Sequence, residues 1–270
     1  LILYSHRLDE RNPGDFWSSP HHYFDLGSKQ VIDCLDTALR GTEFQKYDYD
    51  LHIAGGGAIF SSLRWDKENE YVRKNTKSPA HVVWGAGINF KDGIIKGMKE
   101  YDLVGIRNYR KSYFKNWMFV PCVSCMHELF DKDYEVTQEF GAVLHFKRDP
   151  GDYGKLQAQG VKFIRNKPAK IENVINYIGK CETIITNSYH SAYWAMLMNK
   201  RVITYIPKDT GPNNKLFTFE INPIQYADGE FSWDLLKKPY NYDNLLERYR
   251  ERNRVFYERV VNEYLSSNMS

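Results

Sequence analysis

At 270 residues, with 42% hydrophobic and 26% charged residues, the chain carries too much core material to be disordered. It is long enough for two domains of about 130 residues each. A formal net charge of +3 lacks the concentrated basic face that nucleic acid demands, and suits a small anionic substrate. No apolar run reaches the roughly 18 residues that crossing a membrane takes. No signal peptide is visible, and the chain opens at Leu1 rather than Met, which leaves room for residues upstream. Cys34, Cys122, Cys125 and Cys181 are too few for a disulfide framework, so the expectation is a reduced, cytoplasmic protein.

In chain order, Leu1 to Tyr4 reads as a first strand. Asn12-Pro-Gly-Asp15 has the composition of a β-turn. The aromatics and hydroxyls that follow, Phe16-Trp-Ser-Ser-Pro20 and His21-His-Tyr-Phe24, make Asn12 and Asp15 candidates for a site instead. Asp50-Leu-His-Ile-Ala54 runs into Gly55-Gly-Gly57, His81-Val-Val-Trp84 into Gly85-Ala-Gly87, and Leu103-Val-Gly-Ile106 into Arg107. Short apolar strands that end in glycine turns are the pattern of a parallel sheet covered on both faces. Gly56 and Gly57 allow a ligand to approach the backbone. Neither glycine turn is G-x-G-x-x-G and no acidic ribose partner stands out, so a nicotinamide cofactor is unsupported. Arg107 has the planar, permanent charge that suits carboxylate or phosphate; the competing reading is a surface ion pair with Asp102. Cys122-Val-Ser-Cys125, a single C-x-x-C, cannot by itself close a zinc site.

The charged stretch Phe130 to Glu139 reads as a linker, giving domains 1–133 and 134–270. A second series begins with a strand from Gly141 to Phe146, in which His145 reads as a satisfied strand histidine. Phe163 to Arg165 is the next strand, and Ile171 to Gly179 a helix. Strands at 183–186 and 201–206 bracket a helical segment, and Asn187-Ser-Tyr-His-Ser191 falls where the first of them meets that helix. Unpaired N–H groups and the helix dipole make such a point an anion site. His190 there is either a proton donor beside a bound anion or a plain first-turn residue, with Ser188 as its cap. Lys215, in a polar loop after 201–206, is placed to reach an anion. Leu245, Tyr249, Phe256, Val260 and Tyr264 recur at helical spacing from Asp243 to Leu265, a packing helix that can cross back over the domain junction. Two such α/β halves put the ligand in the cleft between them, beyond the C-terminal ends of the strands.

The ordered set resembles the polysaccharide pyruvyl transferase family. It comprises Asn12, Gly14 and Asp15; His52 to Gly57; Trp84-Gly-Ala-Gly-Ile-Asn89; Val104-Gly-Ile-Arg-Asn108; and Thr186 through Val202. The resemblance implies an α/β fold of two Rossmann-like domains with mainly parallel sheets, similar to the GT-B glycosyltransferases. It implies transfer of a carboxyethylidene group from phosphoenolpyruvate to a sugar or lipid-linked oligosaccharide, closing a cyclic ketal. By it, His190 is the general acid and Arg107 binds phosphoenolpyruvate. Asn187, Ser188, Lys215, Gly56, Gly57 and Asn12 join as substrate ligands, and Asp15 orients or deprotonates the acceptor hydroxyl. No cofactor and no metal are called for, and no nucleic-acid partner. The resemblance allows peripheral contact with a membrane surface or with glycan-assembly enzymes. Ser188 stands where many members have arginine, and Ser191 where glycine is common. The alternatives are a GT-B glycosyltransferase using a nucleotide sugar, for which Glu220 is the one obvious ribose acid, and a catalytically inactive glycan-assembly protein.

Overall fold

A computed structural model describes the chain except residues 36–42, 61–62, 89–96, 110–113, 147–148, 207–214, 228 and 267–270. The first half contains β1 (Ile2–His6), α1 (Pro13–Phe16), β2 (Lys29–Asp33), β3 (Leu51–Gly55), α2 (Leu63–Asn75), β4 (His81–Ala86), β5 (Leu103–Ile106) and β6 (Trp117–Phe119). The second contains β7 (Gln138–Leu144), α3 (Tyr153–Ala158), β8 (Lys162–Arg165), α4 (Ile171–Gly179), β9 (Cys181–Thr186), α5 (Tyr189–Leu197), β10 (Arg201–Ile206), β11 (Ile224–Ala227) and α6 (Leu245–Val260). Two compact units result. One holds Leu1–Asp9, Asp15–Met126 and Tyr249–Ser270, the other Glu10–Gly14 and His127–Arg248.

The first unit is a six-stranded sheet in the order β2-β1-β3-β4-β5-β6, the second a five-stranded sheet in the order β11-β10-β9-β7-β8. Every strand pair is parallel. In each sheet the first strand lies between the second and the third, so the order reverses at β1/β3 and at β7/β9. These are the topological switch points at which open α/β sheets bind ligands.

Burial on both faces explains why the central strands read as unbroken apolar runs. Leu51 and Ile53 of β3, with Val82 and Trp84 of β4, pack on one side together with Phe256. Ala54, Val83 and Ala86 pack on the other with Phe60 and Met98. From Tyr249 on, α6 belongs to the first unit. There Trp84 Nε1–H donates to Asn253 Oδ1 at 3.0 Å, and Phe256 meets the Trp84 ring edge-on at 4.9 Å.

Several elements differ from the sequence expectation. β1 runs on to His6, and β7 spans Gln138–Leu144, which puts His145 beyond the strand rather than inside it. β2, β6, β11 and α2 carried no readable signal. Lys29-Gln30-Val31 of β2 are exposed or half-buried, as is most of β11, and α2 is a charged helix whose Val72 is buried. The second unit takes up the chain at His127, where the expected boundary lay at 133/134; Phe130, the first residue of the expected linker, is buried in a 3₁₀ turn with Leu129 before it.

His52 of β3 is fully buried, its Nε2 2.8 Å from Ser5 Oγ and its Nδ1 3.0 Å from His81 Nδ1. Burial, reinforced by His81, holds its pKa well below the usual histidine value, so the native ring stays neutral. Below about pH 6.5 the unfolded chain binds a proton that native His52 refuses, and stability is lost as pH falls through that value. Urea melts at pH 7.5 and roughly pH 5.5 are expected to show a lower midpoint in acid; an unmoved midpoint contradicts neutral burial of this ring.

Candidate active site

At the first unit's switch point the turn after β3 places Gly56 and Gly57 at φ +68° and +64°, a region that side chains disfavour. A Cβ on Gly56 would lie 1.9 Å from the Ser18 carbonyl oxygen, and one on Gly57 3.0 Å from Asp15 Oδ1. The segment from Asp15 to Pro20 therefore rests directly on the glycine turn, with the Asp15 carboxylate beside Gly57. Ser18 Oγ donates to the Asp15 carbonyl at 2.6 Å and holds the segment in this bend.

Arg107 follows β5 and is 3% exposed, which removes the reading of a surface ion pair. Asp102 instead accepts the His81 N–H at 2.8 Å. The guanidinium lies against Gly87, where a Cβ would come within 2.7 Å of Arg107 Nε. Asn108 pins the same backbone, accepting the Ile88 N–H at 2.9 Å and donating to the Ile88 carbonyl at 3.1 Å. Cys122 is the thiol nearby: burial pushes its pKa up, and Arg107 draws it part of the way back. All four cysteines are buried and free.

In the second unit, two asparagines tie the strand ends together. Asn187, after β9, accepts the His145 N–H at 2.6 Å, a bond that spans the β7/β9 switch point. Asn166, after β8, accepts the Phe146 N–H at 3.0 Å and donates to Ser188 Oγ at 3.3 Å. Ser188 occupies the N-cap position of α5 with extended backbone, yet its hydroxyl makes no cap bond. The plain capping role weighed for it from sequence is not what the side chain does.

His190 is the second residue of α5 and is buried. A Cβ on Gly14 would sit 2.2 Å from His190 Nδ1 and 2.6 Å from its Cγ. The stretch Asn12-Pro-Gly-Asp15 is thus no free-standing turn: Pro13–Phe16 is helical, Gly14 lies flat against the imidazole, and Arg11 accepts the Ala169 N–H at 3.0 Å. Tyr189 and Trp194 flank His190 at ring distances of 5.4 and 5.6 Å. Lys215 is exposed on the 3₁₀ turn Lys215–Phe217, whose Leu216 is buried; Phe219 just beyond it stacks on Tyr189 at 4.7 Å. Residues 212–214 before it, and Asn89, lie outside the described residues.

The second unit thus brings the stretch of Asn12 and Gly14 together with Asn187, Ser188 and His190. The first brings Asp15 to Gly56 and Gly57, and seats Arg107 at the ends of β4 and β5. Sequence reasoning passed over Asn166 and Ser18. The signal for Asn166 was Asn166-Lys-Pro168 directly after a strand, a turn signature at the ligand-bearing edge.

Two parallel Rossmann-like units, with polar and glycine-rich turns at both switch points, define an α/β protein of GT-B-like fold. A family model described as polysaccharide pyruvyl transferase matches residues 2–209. The chain belongs to that family, and so to a family of transferases. It is also similar to a crystal structure of a functionally uncharacterised protein from Klebsiella pneumoniae subsp. pneumoniae NTUH-K2044. The TM-score is 0.51 at 16% identity, over 77% of this chain and 84% of that one, a likeness of fold. No curated protein matches the chain. No helix among the described residues is long and apolar enough to cross a membrane.

Gly14→Ala places a methyl group inside contact distance of the His190 ring, which must move. The expected result is a folded protein, judged by an unchanged far-ultraviolet spectrum, whose His190 ring resonances are shifted from those of the parent. Unmoved His190 resonances in Gly14→Ala contradict the packing of Gly14 on His190.

Proposed function

We propose that this chain transfers a carboxyethylidene group from phosphoenolpyruvate to two hydroxyls of a glycan sugar, with His190 as the proton donor. The observation that carries the reading is the approach of Gly14 to His190. Two motifs from opposite ends of the family match meet at one imidazole, on the first turn of a helix.

The chemistry asks for these groups. Phosphoenolpyruvate has a carboxylate and a phosphate, and its C2–C3 double bond is an enol phosphate. A proton from imidazolium adds to C3, which becomes the methyl group, and leaves an oxocarbenium-like centre at C2. One sugar hydroxyl attacks C2 and gives up its proton, which restores the one delivered to C3; the C2–O bond to phosphate breaks, and a second hydroxyl closes the ketal, its proton leaving with the phosphate. Inorganic phosphate leaves. A positioned acid of this kind contributes about 10²–10⁴-fold. With its Nδ1 edge on Gly14, His190 is assigned Nε2 as the donor nitrogen. In the second unit the start of α5, with Asn187 and Ser188, offers N–H and hydroxyl donors to an anion. In the first, Arg107 supplies a permanent charge, and the turn at Gly56 and Gly57 a close backbone approach. Asn12 and Lys215 are further substrate ligands, and Asp15 orients or deprotonates the acceptor hydroxyl. The acceptor is a polysaccharide or lipid-linked oligosaccharide, which fits a cytoplasmic enzyme working at the membrane surface.

A nucleotide-sugar glycosyltransferase is less well supported. Its ribose acid would have to be Glu220, which is held by Arg248 at 3.0 Å.

Incubation with phosphoenolpyruvate and candidate glycans is expected to add the mass of pyruvate less water to the sugar and to release inorganic phosphate; glycosyl transfer from a nucleotide sugar instead overturns the reading. For Arg107→Ala, phosphoenolpyruvate binding measured by calorimetry is expected to weaken by about 2–5 kcal/mol, as for removal of a buried charge partner. An unchanged dissociation constant in the folded variant removes Arg107 from the anion site. His190→Ala and His190→Gln are expected to keep most of the phosphoenolpyruvate affinity and lose turnover, because the proton is delivered only in the transition state. Near-normal turnover in either variant leaves His190 as a packing residue.

A further inference from the structure

We infer that His6, His21 and His22 form a binding site for a divalent transition metal of the zinc class. His6 ends β1, and the other two lie in the 3₁₀ turn Pro20–His22, so the cluster lies at the first unit's switch point. Each ring offers one nitrogen, and the three atoms lie within 4.8 Å of one another. Bound to one tetrahedral ion at about 2.0–2.1 Å each, nitrogens stand roughly 3.3–3.4 Å apart. Modest side-chain rotation closes that difference.

The second observation concerns His6 itself. It is fully buried, and neither of its ring nitrogens meets a hydrogen-bond partner. Leaving a buried polar group unsatisfied costs about 1–3 kcal/mol, and the neighbours facing His6 are the two other imidazoles, with ring centroids 4.9 and 5.9 Å away. His21 and His22 are themselves packed with tilted rings, 3.9 Å between ring centroids.

Outer contacts orient the ligands. His22 Nε2 lies 3.0 Å from the Phe16 carbonyl oxygen. A carbonyl only accepts, so Nε2 carries the hydrogen and Nδ1 the lone pair. His21 Nδ1 lies 2.9 Å from the hydroxyl of buried Ser19, which leaves Nε2 as its ligand atom. Metal-binding histidines are held in this way, by a hydrogen bond at the second nitrogen. The nearby cations are accounted for: Arg7 pairs with Asp33 at 2.7 Å, and Lys29 Nζ donates to the His21 carbonyl at 3.0 Å. An all-imidazole set suits zinc, copper, nickel or iron rather than magnesium or calcium. Three protein ligands leave the fourth position to water or another oxygen. The inference departs from the expectation of no metal and does not depend on the pyruvyl-transfer reading, since its test reads metal rather than turnover.

The test is titration of the whole, chelator-dialysed chain with zinc, followed by calorimetry, and with cobalt(II), followed by its visible d–d spectrum. One ion per chain and a four-coordinate cobalt band are expected. His21→Ala and His22→Ala should each weaken binding by at least the roughly 10–100-fold that loss of an outer-shell partner costs. Ser19→Ala, which keeps all three rings and is the least disruptive to folding, should lose roughly 10–100-fold. His81→Ala, outside the cluster, should bind as the parent does. Absence of stoichiometric uptake by the parent chain overturns the inference, and so does an unchanged affinity in His22→Ala and Ser19→Ala.

Discussion

In both sheets the first strand is flanked by the second on one side and the third on the other. Right-handed crossovers that leave in opposite directions must pass over opposite faces of a sheet. The loops after β1 and β3, and after β7 and β9, therefore diverge and leave a crevice at the C-terminal edge. The groups named in each unit depend on that divergence. In the first unit the crevice is floored by Gly56, whose missing side chain lets Ser18 approach. In the second, Asn187 bridges it through the His145 N–H, and Gly14 comes down on His190.

What lies in these crevices is governed by the cost of burying polar groups. Asn108, Asn166 and Asn187 each accept a backbone N–H just beyond a strand, where the ladder no longer supplies a partner. Neutral amides do this work at little desolvation cost, whereas a carboxylate would bring a charge that needs its own partner. Buried charges depart from this at Asp33, which accepts the Leu8 N–H at 3.0 Å and has Arg7 as its partner, and at Arg107, which sits over Gly87, where the absent Cβ makes room for the guanidinium.

Legibility in the sequence followed burial. β3, β4, β5, β9 and β10 are covered on both faces and stand out as apolar runs, so the sequence alone places Gly56, Gly57, Arg107 and Asn187 at strand ends. β2 and β11 lie at sheet edges with one side toward water, so Lys29 and Gln225 interrupt the pattern. His145 reads as a strand residue because Val143-Leu144-His145-Phe146 has the composition of a strand throughout, whereas in the structure its N–H leaves the ladder and donates to Asn187 Oδ1. The pairing of Gly14 with His190 was beyond reach, because it depends on where a chain stretch far away in sequence returns. The same holds for His6 with His21 and His22: two of them are adjacent in sequence, but the third comes from the end of β1.

Ser188 shows how such a departure from a family pattern is accommodated. The resemblance places arginine at this position in many members, and an arginine here would bring a charge into a buried corner. Serine instead presents a hydroxyl that already receives a hydrogen bond from Asn166. Its own N–H is taken by Thr186 Oγ1 at 3.0 Å. The polarity that remains comes from the first turn of α5, equivalent to about half a positive charge. That is weaker than a guanidinium but needs no counter-ion when no substrate is bound. On the proposed reading, the second unit holds its anion by oriented neutral donors at the start of α5 with Lys215 beyond them, and the permanent charge of Arg107 is confined to the first. A proton on His190 then becomes the one full positive charge that the start of α5 adds, and it is spent when C3 of phosphoenolpyruvate is protonated.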